Sequence, residues 1–175
     1  MRPIFTLHAG EYLVGSYLES AFKDCRIWLP SKDTGVDLLV TDKEHRKAVS
    51  LQVKFSKDFM NVDFNASGWW TLKSDKIAES VADLWVFALY NFTEKKIHNI
   101  IIPPHRLLEI LDAVHGRQRL FQMYMNVSNK SRCWATRGLS KEDVRLAATG
   151  KYENAGRDLT TYLDNWEPLK ARLFS

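Results

Sequence analysis

Along Gly35-Val36-Asp37-Leu38-Leu39-Val40 and again along Leu51-Gln52-Val53-Lys54-Phe55, single polar residues interrupt apolar runs. Successive side chains on a strand face opposite ways, so Gln52 and Lys54 share one face while Leu51, Val53 and Phe55 take the other. By the same rule Asp37 stands against Val36, Leu38 and Val40. Two neighbouring strands are expected here, with three polar groups of different type beside one sheet surface. Upstream, residues from Thr6 to Lys23 carry an apolar stripe of helical period (Phe5, Ala9, Tyr12, Leu13, Tyr17, Ala21), with Thr6 as the expected N-cap.

Other elements follow from the same reading. Cys25–Leu29 is expected as a short strand stopped by Pro30, followed by a turn over Ser31–Gly35 and a strand over Val36–Thr41. The charged run Asp42–Lys47 fits a hairpin tip leading into Ala48–Phe55. Ser56–Trp70, with Asn61, Asn65 and Gly68, reads as irregular. A helix over Leu72–Ala82, a buried strand at Leu84–Tyr90, a second hairpin into His98–Ile102 and a helix over Arg106–His115 come next. Pro103-Pro104 opens that helix and Gly116 closes it. Leu120–Val127 alternates as a strand, and the remainder reads as loops and short helices. The order predicts an α/β domain with a mixed sheet flanked by helices. One domain over 1–175 is expected, a core over about 6–127 and a C-terminal extension over about 128–175.

Composition narrows the class. At 175 residues, 45% hydrophobic and 26% charged, the chain is an ordinary globular one. No run approaches the roughly 18 apolar residues of a membrane span, and Glu11 interrupts any secretory apolar region. Cys25 and Cys133 are too few and too far apart for a disulfide framework, so a reducing, cytoplasmic location is expected. Between Ser128 and Lys151 six Lys/Arg stand against two acids, an excess equal to the chain's net charge of +4. With Lys130, Arg132, Trp134 and Arg137 together, this stretch suits phosphate pairing and base stacking, or else a solvated face. Trp69-Trp70, with Trp28, Trp85, Trp134 and Trp166, reads most simply as core or cap, with one of the pair wedging or stacking on bases as the alternative.

The candidate chemistry gathers at the strand pair. An aspartate inside Val36-Asp37-Leu38-Leu39-Val40 must be solvated at a sheet end, paired, or bound to a cation, because an unpaired buried carboxylate is costly. Lys54 either snorkels to solvent or lends charge beside Asp37. Gln52 offers an amide oxygen to a hard cation. Glu11 falls in one helical row with Leu7, Val14 and Leu18, which makes it either a carboxylate turned toward the sheet, as a metal ligand or water-holder, or a helix-surface glutamate. Gly10 and Gly15 flank it and allow close approach. No zinc spacing is present, and Ala148-Thr149-Gly150-Lys151 lacks the first glycine of a phosphate-binding loop.

A helical Glu11, a strand Asp37 just after Gly35, and Gln52-Val53-Lys54 resemble the PD-(D/E)xK nuclease superfamily, which includes restriction endonucleases and Holliday-junction resolvases. The resemblance covers residues 6 to about 90. It implies a restriction endonuclease-like core of αβββαβ order and a divalent-metal-dependent nuclease that hydrolyses DNA phosphodiesters. In that frame Asp37, Gln52, Glu11 and the main-chain oxygen of Val53 bind Mg²⁺, with Mn²⁺ as the alternative, and Asp37, Gln52, Lys54 and Glu11 form the catalytic set. DNA is the implied partner, and a homodimer fits the cutting of two strands with one site per chain. Two departures stand out. Val36 replaces the usual proline, and Gln52 replaces the usual acid and removes a negative charge. The other reading is an inactive nuclease-fold module that binds nucleic acid or a protein.

Overall fold

The computed structural model describes residues 8–32, 34–57, 63–91 and 93–175. Helix α1 spans Ala9–Ala21 with His8 at its N-cap, so the expected cap Thr6 and the stripe residue Phe5 lie outside the described residues. Strands β1 (Cys25–Trp28), β2 (Leu38–Asp42) and β3 (Ala48–Lys57) follow as an antiparallel meander. Then come β4 (Ala66–Lys73), the short helix α2 (Ser74–Ala78), β5 (Leu84–Asn91), β6 (Lys96–Ile102), helix α3 (Pro104–His115) and β7 (Leu120–Val127). The chain closes with β8 (Cys133–Ala135), helix α4 (Lys141–Ala148) and helix α5 (Glu167–Phe174), with two single 3₁₀ turns between the helices. The fold is mixed α/β.

Five strands form one sheet in the order β1-β2-β3-β5-β6, in which β3 and β5 run parallel and the other pairs antiparallel. β5 lies inside the sheet between β3 and β6 and is covered on both faces, which explains its unbroken apolar run. Leu84, Val86 and Ala88 pack with Val14 and Leu18 of α1 and with Trp166, Leu169 and Leu173 of the C-terminal region. Trp85, Phe87 and Leu89 face a second core built with α3 and a three-stranded sheet, β4-β7-β8.

That second sheet corrects the expectation of irregular chain up to Trp70. Trp70 and Leu72 point into the core, whereas Trp69, Thr71 and Lys73 point out. Gly68, which as a turn former argued against a strand, is there for space. A Cβ on it would stand 2.5 Å from Trp70 Cη2 and 3.1 Å from Leu89 Cγ. Because β4 pairs with β7 as far as Lys73, the helix expected from Leu72 begins only at Ser74 and ends at Ala78. Gly10 has a similar steric role, since a Cβ there would lie 2.4 Å from Phe55 Cβ, so the bare backbone lets α1 sit directly on β3.

Residues 128–175 are woven into both layers. β8 extends the second sheet, and Trp166 stacks on Tyr17 with ring centroids 5.7 Å apart. Asp83 ties α5 to the sheet, accepting from the Ser50 N–H (2.9 Å) and hydroxyl (2.8 Å) and pairing with Arg172 at 2.5 Å. Burial alone would raise the Asp83 carboxyl, but the Ser50 donors and the Arg172 guanidinium outweigh it and hold it below the ordinary aspartate range. A depressed carboxyl contributes stability above its unfolded value, near pH 4, and loses it as pH falls through the lower folded value. Asp83→Asn is therefore expected to destabilise the protein at neutral pH by about 1 kcal/mol, the pair being partly exposed to solvent. Urea titrations should show the difference from wild type shrinking below about pH 4.

Candidate active site

Asp37 stands one residue before β2, and its N–H continues the ladder to the Leu51 carbonyl at 2.8 Å. Its carboxylate Oδ2 accepts the Val53 N–H at 2.7 Å and a hydrogen bond from the Gln52 amide. The carboxylate therefore lies past the end of β2, alongside β3, where the ladder has run out of partner strand. In an extended strand the N–H and C=O of one residue point to the same side. The Val53 carbonyl thus faces the same gap as its N–H.

Gly35, at φ +85°, turns the chain into this corner, and a Cβ on it would lie 3.9 Å from Gln52 Oε1. Gln52 directs its amide nitrogen at Asp37 and its oxygen toward Gly35. Binding a cation together with Asp37 would require that amide to turn over, exchanging the positions of its nitrogen and oxygen. Lys54 lies two residues further along the same face, with Nζ 5.4 Å from the centre of the Trp85 ring. Gln52 and Lys54 line a groove of about 530 Å³, walled on the far side by Thr71 and Lys73 of β4 and by Lys76 and Glu79 of the α2 region. Three lysines against one glutamate make that groove a cationic one.

Glu11 approaches from the α1 side. Gly10 lies against Phe55, and Glu11 and Leu38 line one shallow hollow on that side of the sheet. Leu38 directly follows Asp37. The Glu11 carboxylate is nearly buried and accepts the His8 N–H at 3.1 Å, so it also caps the helix. The structure thus brings Asp37, Gln52, Val53 and Lys54 to one strand end, with Glu11 across the sheet from the groove.

Among the described residues no cluster of three or more His, Cys, Asp or Glu could hold a metal ion. The donors near Asp37 are all oxygens: its carboxylate, the Val53 carbonyl and the Gln52 amide oxygen once turned. This is a poor set for zinc. It suits Mg²⁺, which prefers oxygen, keeps several waters and takes only one or two carboxylates plus substrate phosphates.

The C-terminal basic cluster is partly spent inside the protein. Arg132 pairs with Asp158 at 2.7 Å, donates to the Gly150 carbonyl at 3.3 Å, and lies 4.3 Å from the centre of the Trp134 ring. Trp134 is fully buried among Phe64, Ala147, Ala148 and Tyr152, which corrects the expected stacking role: no face of its ring reaches a base. Lys130 and Arg137 remain exposed. Sequence reasoning missed Lys73 and Lys76 of the groove wall. The alternation of Trp69, Thr71 and Lys73 was the signal for the first of them.

No protein-family model matches this chain, and comparison with curated proteins and with solved structures yields no significant match.

The Asp37–Gln52 contact is open to a direct test. Gln52→Glu sets a second carboxylate against Asp37, and two such groups this close repel unless they share a proton or a cation. Thermal melting in chelator is expected to show the variant below wild type. Added Mg²⁺ is expected to raise the variant's Tm more than that of wild type, since only the variant gains a compensated charge.

Proposed function

We propose that the protein is a divalent-metal-dependent nuclease acting on DNA phosphodiesters, with its centre at Asp37 and Lys54. The observation that carries this reading is the Asp37 carboxylate held by the Val53 N–H and the Gln52 amide at the edge of β2, next to a cationic groove lined by Gln52 and Lys54. The strand order supports it too: a helix, three antiparallel strands and then, after an excursion, a helix and a strand parallel to the third. This is the arrangement expected of a restriction endonuclease-like core.

The chain's own groups divide the work. Asp37, with the Val53 carbonyl and the Gln52 amide oxygen, would hold Mg²⁺, while Glu11, on the other side of the sheet, is engaged as the cap of α1. Mg²⁺ bound there supplies Lewis-acid polarisation of a phosphate oxygen and makes water a better nucleophile. Lys54 lines the groove with its side chain. There it stabilises charge that develops on the non-bridging oxygens, a contribution that grows in the transition state. Lys73 and Lys76 neutralise flanking phosphates along the groove wall.

A second reading is favoured by one observation. Gln52 is neutral and, as placed, donates to Asp37 rather than facing it with an oxygen. A binding module that keeps the fold without hydrolysis would tolerate this arrangement unchanged.

Nicking of supercoiled plasmid in Mg²⁺ or Mn²⁺ separates the two. Asp37→Ala and Lys54→Ala are each expected to lower the rate by roughly a hundredfold or more, the scale for loss of a group that stabilises transition-state charge. Nicking that survives both substitutions would remove the site from Asp37 and Lys54. A wild type that binds DNA without cutting it would leave the binding module.

A further inference from the structure

Two polar side chains of β3 line the groove, and they are held in different ways. Gln52 is tied to the Asp37 carboxylate by a hydrogen bond. Lys54 forms no ion pair with any described residue, and its Nζ lies over the Trp85 ring, 5.4 Å from the ring centre. Trp85 is itself only 4% exposed, although it lines the groove. The ring is pinned at its far edge. Its indole N–H donates to the Ser80 hydroxyl at 2.8 Å, and the same hydroxyl accepts the Ala82 N–H at 3.3 Å. Ser80 and Ala82 lie in the short connection between α2 and β5, so the crossover that walls the groove also fixes the indole.

We infer that Trp85 is a positioning residue of the proposed site: its ring, fixed by Ser80, holds the Lys54 ammonium in the groove at the Asp37 end. A lysine has a flexible four-carbon stem, and without a partner it would sweep between the groove and open solvent. A carboxylate partner would stop that motion but would cancel the charge that a phosphate needs. An aromatic face attracts the ammonium through its quadrupole and leaves the net charge intact, and the attraction is stronger where water is excluded. Direction matters as well. In the parallel register Trp85 stands beside Gln52, whereas Lys54 stands beside Phe87. An ammonium over the Trp85 ring therefore reaches diagonally back toward Gln52, the residue bonded to Asp37. Charge already in place before the reaction costs no reorganisation when the transition state forms. The inference rests on the nuclease reading for the reaction that Lys54 serves, though not for the contact that holds it.

Protons held over an aromatic ring resonate upfield, so NMR reports the contact directly. In protein labelled at its lysine carbons, the ε-methylene signal missing from Lys54→Ala belongs to Lys54. In wild type it is expected upfield of the other lysines. Trp85→Phe should keep most of that shift, and Trp85→Leu should abolish it. In plasmid nicking, Trp85→Leu is expected to lower kcat roughly tenfold with KM nearly unchanged, the scale of one sheltered cation–π contact felt in the transition state. Trp85→Phe should restore most of the rate, which a mere loss of core packing does not predict. A wild-type Lys54 signal lying among those of the other lysines overturns the proposal. So does a Trp85→Leu protein that loses the shift and still nicks at the wild-type rate. Should Trp85→Leu melt early, Ser80→Ala decides in its place. A Lys54 signal moved toward the others, with a lower kcat, supports the positioning role, and no change in either overturns it. A wild type that does not nick refutes the nuclease reading, and titration with inorganic phosphate, followed at the Lys54 signal, then tests the positioning alone. Severalfold weaker phosphate binding in Trp85→Leu upholds it, and equal binding overturns it.

Discussion

The parallel pairing of β3 with β5 is the constraint from which the rest of the architecture follows. Parallel neighbours cannot be joined by a tight turn, so the chain must leave the sheet after Lys57 and return at Leu84. The excursion becomes β4 and α2, and those two elements build what the first sheet cannot. β4 seeds the second sheet, whose apolar side covers Trp85, Phe87 and Leu89. Its other residues, with α2, raise the far wall of the groove over Gln52 and Lys54. A hairpin in place of this crossover would leave Lys54 on an open face, with neither a wall nor neighbouring lysines.

The polar groups survive in an apolar sheet because they sit where the ladder stops. β2 begins only at Leu38, opposite Leu51, while β3 continues to Lys57, so the Val53 N–H would otherwise lack a partner. The Asp37 carboxylate fills that vacancy, and the hydrogen bond fixes its direction. A carboxylate held by a backbone N–H and a side-chain amide has a fixed orientation. Burial has the opposite consequence for Cys133, whose thiol it pushes far above its ordinary range and so keeps unreactive. No described helix is long and apolar enough to cross a membrane, and the longer ones spend their apolar faces on the two cores.

Much of the first sheet was legible in the residues. Period-two alternation placed Gln52 and Lys54 on one face, and Asp37 proves to be their neighbour through the ladder register Leu38↔Leu51. Leu84–Tyr90 announced a buried strand, found as Leu84–Asn91, and Leu120–Val127 alternated as it folds. β4 was hidden because Asn65 and Gly68 carry turn chemistry. Gly68 is needed instead for the close approach of Trp70 and Leu89, a steric demand made by residues distant in the chain. Trp134 was open to two readings, core or a stacking ring, and the sequence could not choose between them. A tryptophan among arginines suits a nucleic-acid surface in sequence, yet the packing of α4 over β8 closes it away.

Local order and periodicity thus determined the helix–strand succession apart from β4 and β8, the faces of β2 and β3, and the grouping of Asp37, Gln52 and Lys54. Those are short-range properties, carried by side chains two to four residues apart. Tertiary structure alone decided which face of β4 is covered, which of the two adjacent tryptophans reaches solvent, and that Lys73 and Lys76 stand across a groove from Lys54. Each of these depends on contacts between strands separated by dozens of residues, where a period of two states that a strand has two faces but not what lies against either.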